Sequence, residues 1–206
     1  MILAVDTSLG TAVATVGDDG VRAEASTADP LGHAEVIGDL LQRVIDGTDD
    51  APVTQVVAGM GPGPFTGLRI GIAAARAFAL GRGIPVLPVP SHFAPALRAI
   101  EADAVTGRFA IVTDARRREV AVTVFDGTDA DGIPHVAADT VLVPRADLGS
   151  ALEGLRAIEV STLSAADLAT VAARALRAGR QLADDEPLYM RHPDVTVPGA
   201  PKKVGL

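Results

Sequence analysis

Two aspartates close strand-like apolar runs in this chain. Asp6 follows Ile2-Leu3-Ala4-Val5, and Asp114 follows Phe109-Ala110-Ile111-Val112-Thr113. Each leads into a turn, Asp6-Thr7-Ser8-Leu9-Gly10 in one case and Ala115-Arg116-Arg117-Arg118 in the other, and then into a return strand. A carboxylate at the end of a buried strand can face nucleotide phosphates or their metal, with Thr7 and Ser8 beside it. It can equally cap its own turn. Close backbone approach to phosphate needs glycine or small residues, and the second turn carries three arginines instead. Those arginines either hold an anion or form a solvated turn.

Other residues of reactive type are poorly spaced for chemistry. Ser91 and His92 are adjacent, and neighbours on a helix do not face one another. No G-x-S-x-G nucleophile elbow occurs. A two-histidine metal site on a helix needs His at i and i+4; four residues after His33 stands Ile37, so no metal is expected there and His33 reads as a surface or interface residue. The loop Gly61-Pro62-Gly63-Pro64 is stiff, because each proline fixes its own φ and restricts the residue before it. Glycines ahead of a helix can cradle phosphate, but the P-loop pattern wants Gly-Lys-Ser/Thr and no lysine lies in this region.

The elements that must position these residues follow from hydrophobic periodicity. Residues 2–6, 11–16 and 21–25 read as a three-strand meander broken at Gly17-Asp18-Asp19-Gly20. His33 to Asp46 reads as a helix with Ile37, Leu40, Leu41 and Val44 on one face. The strand at Val56 enters the Gly-Pro loop, and Thr66 stands where it would cap a helix running to about Gly81. From Leu68 to Leu80 only Arg69 and Arg76 are charged. A helix apolar nearly all round is covered on more than one side. Its small residues Gly67, Gly71, Ala75 and Ala79 recur every fourth position and would let another backbone come close. A short strand at 84–89 and a helix started by Ser91 complete the first half. Residues 102–107 read as a lobe boundary, and the strand–Asp–turn–strand unit then repeats. Further on, 135–143 reads as a strand, 144–153 as a short helix, and Leu163 to Ala178 as an amphipathic helix ended by Gly179. The divisions are 1–103, 104–188, and a tail 189–206 expected to be disordered at its end.

Composition narrows the function. The 206 residues suffice to bury roughly 70% of the unfolded surface. There is no cysteine, hence no thiol chemistry or disulfide. With 26 acidic against 18 basic residues the net charge is −8, which repels nucleic-acid phosphate on average. Aromatics are 3% and tryptophan is absent, so base-stacking platforms are not expected. The N-terminus enters a strand pattern without a basic n-region, and the expected location is cytoplasmic, with no membrane partner.

The segment Gly61-Pro62-Gly63-Pro64-Phe65-Thr66-Gly67-Leu68-Arg69-Ile70-Gly71 resembles the G-P-G-S-F-T-G-L-R-I-G signature of the bacterial tRNA threonylcarbamoyladenosine biosynthesis family TsaB, formerly YeaZ. Asp6-Thr7-Ser8, His33-Ala34-Glu35, Asp114-Ala115-Arg116-Arg117 and Pro187-Leu188-Tyr189-Met190-Arg191 agree with it. Two departures stand out. Pro64 replaces the usual serine, and the region 150–161 is short, with no Gly-x-Gly-Ala segment. The resemblance implies an α/β fold of the actin-like, ribonuclease-H-like class (acetate kinase, Hsp70, actin), with two lobes, each a mixed sheet flanked by helices. It implies a non-catalytic scaffold subunit pairing with the catalytic TsaD, which has the paired metal histidines, and with the ATPase TsaE. Together these transfer threonylcarbamoyl to an adenosine beside the tRNA anticodon. No cofactor is expected on the isolated subunit, ATP and metal belonging to the partners; tRNA is met through the complex, and a homodimer forms when TsaD is absent. The expected partner face comprises His33, Ile37, Leu40, Leu41, Thr66, Leu68, Arg69, Ile72, Ala75 and Arg76. Asp6, Thr7, Ser8 and Asp114 would be a vestigial nucleotide-facing set. The alternative is an ATP-dependent enzyme of the sugar-kinase class in which Asp6 and Asp114 still face nucleotide and metal. A protease role, once proposed for such proteins, finds no legible triad.

Overall fold

The computed structural model describes residues 1–29, 32–46, 48, 51–105 and 107–191. The expected disordered end of the tail lies outside these residues. Two sheets are built on one plan. In the first, β1 (Ile2–Asp6) pairs antiparallel with β2 (Thr11–Gly17), β2 with β3 (Gly20–Thr27), and β1 runs parallel to β4 (Gln55–Gly59), beside which lies β5 (Val86–Val89). In the second, β6 (Arg108–Asp114) pairs antiparallel with β7 (Glu119–Thr128), β7 with β8 (Pro134–Pro144), and β6 runs parallel to β9 (Arg156–Val160). The strand orders β3-β2-β1-β4-β5 and β8-β7-β6-β9 match over four strands, so the repeated strand–Asp–turn–strand unit reflects a duplicated topology.

The helices fill equivalent places. In the first half α1 (His33–Asp46) links β3 to β4, and α2 (Phe65–Arg82) follows β4. In the second half the link from β8 to β9 shrinks to a 3-10 turn at Arg145–Asp147 and the four-residue α4 (Leu148–Ala151), while α5 (Ala165–Arg177) follows β9. The helix α3 (Phe93–Glu101) comes between the halves.

Side-chain alternation along the strands sorts the molecule into five layers. Leu3 and Val5 of β1 face α1 and α2 in one apolar cluster. Ala4 of the same strand faces the other way, into a cluster with α3, α5 and the inward residues Phe109, Ile111 and Phe125 of the second sheet. Ala110, Val112 and Val120 face outward beneath Leu152. Thus α3 and α5 form a middle layer shared by both sheets. The 103/104 boundary falls in the turn after α3, but α5, from the second half, packs on β1 and β2 of the first. The edge strand β9 escapes sequence reading, because its run Arg-Ala-Ile-Glu-Val is short and largely exposed, with only Ile158 and Val160 partly buried against the middle cluster.

Candidate functional site

The turn Asp6-Thr7-Ser8 is a packing hub rather than an open phosphate loop. Asp6, Thr7 and Ser8 are 1%, 1% and 3% exposed. Asp6 Oδ1 accepts bonds from the Ser8 backbone N–H at 2.8 Å and the Ser8 hydroxyl at 2.5 Å, and Asp6 Oδ2 accepts from the Ser91 hydroxyl at 2.5 Å. Ser91 Oγ in turn accepts from the Gly61 N–H at 2.9 Å. Burial pushes the Asp6 carboxyl above the usual carboxylate range, against the lowering effect of the bonds from Ser8 and Ser91. Thr7 donates to the Gly67 carbonyl at 2.7 Å.

This turn explains the glycine spacing. A Cβ on Gly59 would stand 1.8 Å from Asp6 Oδ2, one on Gly63 2.8 Å from Ser8 Cα, and one on Gly71 2.2 Å from Thr7 Oγ1. The backbone that the small-residue stripe admits is therefore the chain's own first turn. In this structure the Asp6 carboxylate is sealed by Gly59, packed against Oδ2, and by the Ser91 hydroxyl bonded to it, so it does not face the solvent.

Several expected roles shift. Thr66 is not the cap of α2; the helix begins at Phe65, and the cap position belongs to Pro64, extended at φ −60 and ψ 132, with no side-chain bond. Pro64 sets the entry conformation of the helix and offers no hydroxyl to cap it. Ser91 does not start α3, since its hydroxyl is used by Asp6 and Gly61. His33 is not at the surface: it is 3% exposed, its Nδ1 is 2.9 Å from Thr11 Oγ1, and Gly67 leaves room for its ring. Ile37, Leu40, Leu68, Ile72 and Ala75, expected on a partner face, belong to the chain's own core beneath the helices. Leu41 is half-buried. Only Thr66, Arg69 and Arg76 of the expected set are exposed, and the last two are engaged by a C-terminal strap.

That strap, residues 182–191, was expected to divide into lobe and tail at 188/189. It instead crosses α2. Arg76 pairs with Asp185 at 2.7 Å, the Leu188 N–H donates to the Met60 carbonyl at 2.8 Å, and Arg69 Nε donates to the Tyr189 hydroxyl at 2.9 Å while lying 3.7 Å over the Phe65 ring. Phe65 and Tyr189 are tilted together at 4.6 Å between centroids. At its far end Arg191 pairs with Glu119, beside the second turn.

Strap, Gly-Pro loop and second turn enclose a cleft of about 680 Å³ between the halves. Its walls include Phe65 and Ile70, Thr113 and Asp114, Arg116 and Arg117, and Tyr189. Asp114 is exposed, unlike Asp6, and lies 3.6 Å from Arg145. Behind this wall His92 is held at both nitrogens, Nδ1 at 2.7 Å from Thr123 Oγ1 and Nε2 at 2.9 Å from Thr113 Oγ1. Burial lowers its pKa to about 3. It is a neutral pin between α3 and the second sheet; a histidine beside the only reactive-looking serine gave no signal of this use.

Two halves on one plan, one acid sealed and one exposed, can be compared with known proteins. The family model for tRNA N6-adenosine threonylcarbamoyltransferase, TsaD, matches residues 30–179, well over half of the chain. The chain belongs to the TsaD family, and within it resembles the TsaB (YeaZ) proteins. The tRNA threonylcarbamoyladenosine biosynthesis protein TsaB of Escherichia coli is 32% identical over 65% of this chain and 58% of its own length. An uncharacterized protein of Mycobacterium tuberculosis, Rv3421c, is 38% identical over 94% of this chain and 92% of its own. The crystal structure of an uncharacterized protein with similarity to peptidase YeaZ from Pseudomonas aeruginosa superposes with a TM-score of 0.75 at 26% identity, covering 92% of this chain and 99% of that one. The fold is the actin-like, two-lobed α/β arrangement expected from the sequence. Among the described residues, no helix is long and apolar enough to cross a membrane.

Proposed function

We propose that this chain is a non-catalytic scaffold and activating subunit. It pairs with TsaD, and through the assembly with TsaE, in threonylcarbamoyl transfer to the adenosine beside the tRNA anticodon. The observation that carries this reading is the outer surface of α2. With Leu68, Ile72 and Ala75 turned inward, the opposite side exposes Thr66, Ala73, Ala77 and Leu80, with the half-buried Ile70 between them, spaced as one helical stripe. Leu80 is 84% exposed, the extreme among the large exposed hydrophobic residues described. Small side chains beside one prominent leucine suit a closely packed helix from a partner. The names of the TsaB relatives support the pathway, and the sealed Asp6 turn supports the absence of phosphate chemistry here. Cofactor and metal then belong to the partner subunits. The cell compartment is the cytoplasm, where tRNA is modified. Without TsaD, the same stripe pairs two copies of this chain.

The test is size-exclusion chromatography of the chain alone and with TsaD. The wild type should co-elute with TsaD, and an Ala73→Arg, Leu80→Asp variant should not, while keeping its circular dichroism. Unimpaired pairing by that variant refutes the docking face. Calorimetry with ATP and magnesium on the isolated chain addresses its passive role: tight binding abolished by Asp6→Ala would refute it.

A further inference from the structure

The β6–β7 turn is unusual in a way that scaffolding leaves unexplained. Arg116, Arg117 and Arg118 have φ of +62, +52 and +62, three successive left-handed residues with full side chains. Glycine, asparagine and aspartate are the residues that such conformations favour. Turn geometry alone therefore does not account for three arginines; the side chains are needed for something else. All three are exposed. The turn forms a ridge between two concavities, Arg116 and Arg117 lining the interlobe cleft, Arg117 and Arg118 lining a shallow outer groove with Arg145 and Arg191.

The local charge is not cancelled. Arg145 is shared between Asp114 at 3.6 Å and Glu159 at 3.2 Å, and Arg191 pairs with Glu119. Among the described residues the Arg116 and Arg118 guanidinium groups have no carboxylate partner. In a chain of net charge −8 this makes the turn a confined cationic ridge. Guanidinium groups match phosphate oxygens bidentately. Groups that diverge into two grooves fit an extended polyanion better than a single enclosed phosphate. We propose that the β6–β7 turn is a contact site for an RNA phosphodiester backbone, holding tRNA against this subunit within the assembly. This rests on the reading above, since it is the assembly that brings the RNA.

Replacing Arg116 and Arg118 together by glycine removes both charges at positions where glycine is conformationally at ease, so the fold is kept. The Arg116→Lys, Arg118→Lys variant retains the charge. Binding of an unmodified tRNA transcript is followed by fluorescence anisotropy over a series of KCl concentrations, for the isolated chain and for its complex with TsaD. In the complex, the glycine variant should bind more weakly and the slope of log K against log[KCl] should flatten by about 1 per arginine removed. The lysine variant should keep the wild-type slope. Pairing with TsaD should be unchanged in both. Wild-type affinity and slope in the glycine variant overturn the proposal. Loss of pairing with RNA affinity intact also overturns it, showing that the ridge meets an acidic protein surface. If the wild-type chain does not pair with TsaD, it is the scaffold reading that fails. The isolated-chain titration at low salt then decides the ridge by the same criterion.

Discussion

His92 shows how a residue of reactive type becomes structural. Both ring nitrogens meet threonine hydroxyls, which donate or accept as needed, so the neutral ring is satisfied in either tautomer. Protonation would place a charge in the buried layer between the sheets. The folded-state pKa of about 3 lies below the ordinary 6.5, so between these values the unfolded chain takes up a proton and the folded chain does not. Stability contributed by neutral His92 is present above pH 6.5 and is lost as pH falls toward 3, on the order of 5 kcal/mol in full. Asp6 acts in the opposite sense, because its raised pKa lets the folded state bind a proton earlier as pH falls. The His92 contribution is therefore read by difference. Urea unfolding of the wild type and His92→Asn at pH 7 and pH 5 should show the wild type losing more stability on acidification than the variant. Equal losses would remove His92 from the account.

At the scale of elements, α2 and its loop were legible because prolines, glycines and an apolar run signal them directly. What the helix faces was not. An all-round apolar helix announces that it is covered but not by which side chains, and the decisive contact, Thr7 under Gly67 and Gly71, joins segments 60 residues apart. The strap was missed for a like reason: its anchors Arg69 and Arg76 were expected on the partner face, and nothing in their spacing shows that Tyr189 and Asp185 come across to them. The β9 strand carries only one short alternation, Ile158-Glu159-Val160, too brief to mark a strand. These placements separate two substitutions on one helix. Ala75 is 0% exposed, and Ala75→Asp buries an unpaired carboxylate, destabilising the fold by several kcal/mol. Leu80→Asp lies in solvent and should change unfolding stability by no more than about 0.5 kcal/mol. Denaturant midpoints that fail to separate the two would mean that α2 is rotated from the orientation described.

The whole molecule was read from sequence as two lobes joined at residue 103, and the duplication is there, but its energetics belong to one body. Each sheet leaves one face apolar toward the middle, and neither half carries enough helix to cover its own: α3 from the first and α5 from the second fill a single layer. Phe93 meets Phe125 edge-on at 5.5 Å across that layer, and Phe125 stacks on Phe109 at 5.9 Å. The strap adds a second tie on the opposite side of the first sheet, through Tyr189 on α2 and Arg191 on the second turn. A residue 1–103 fragment would expose Ala4, Ala14, Val57 and Leu97 where α5 now lies, and should not fold alone. In the intact chain, the far-ultraviolet dichroism of both sheets and the fluorescence of Tyr189 should lose their native signals at one urea concentration, as two-state unfolding demands. Tyr189 is the only tyrosine, and it sits at the tie rather than in either core, so its midpoint reports the joint itself. A fluorescence midpoint well below the dichroism midpoint would mean that the strap detaches from a still-folded body. A stably folded 1–103 fragment would mean that the lobes are independent, and that the shared layer follows from their association rather than being required for it.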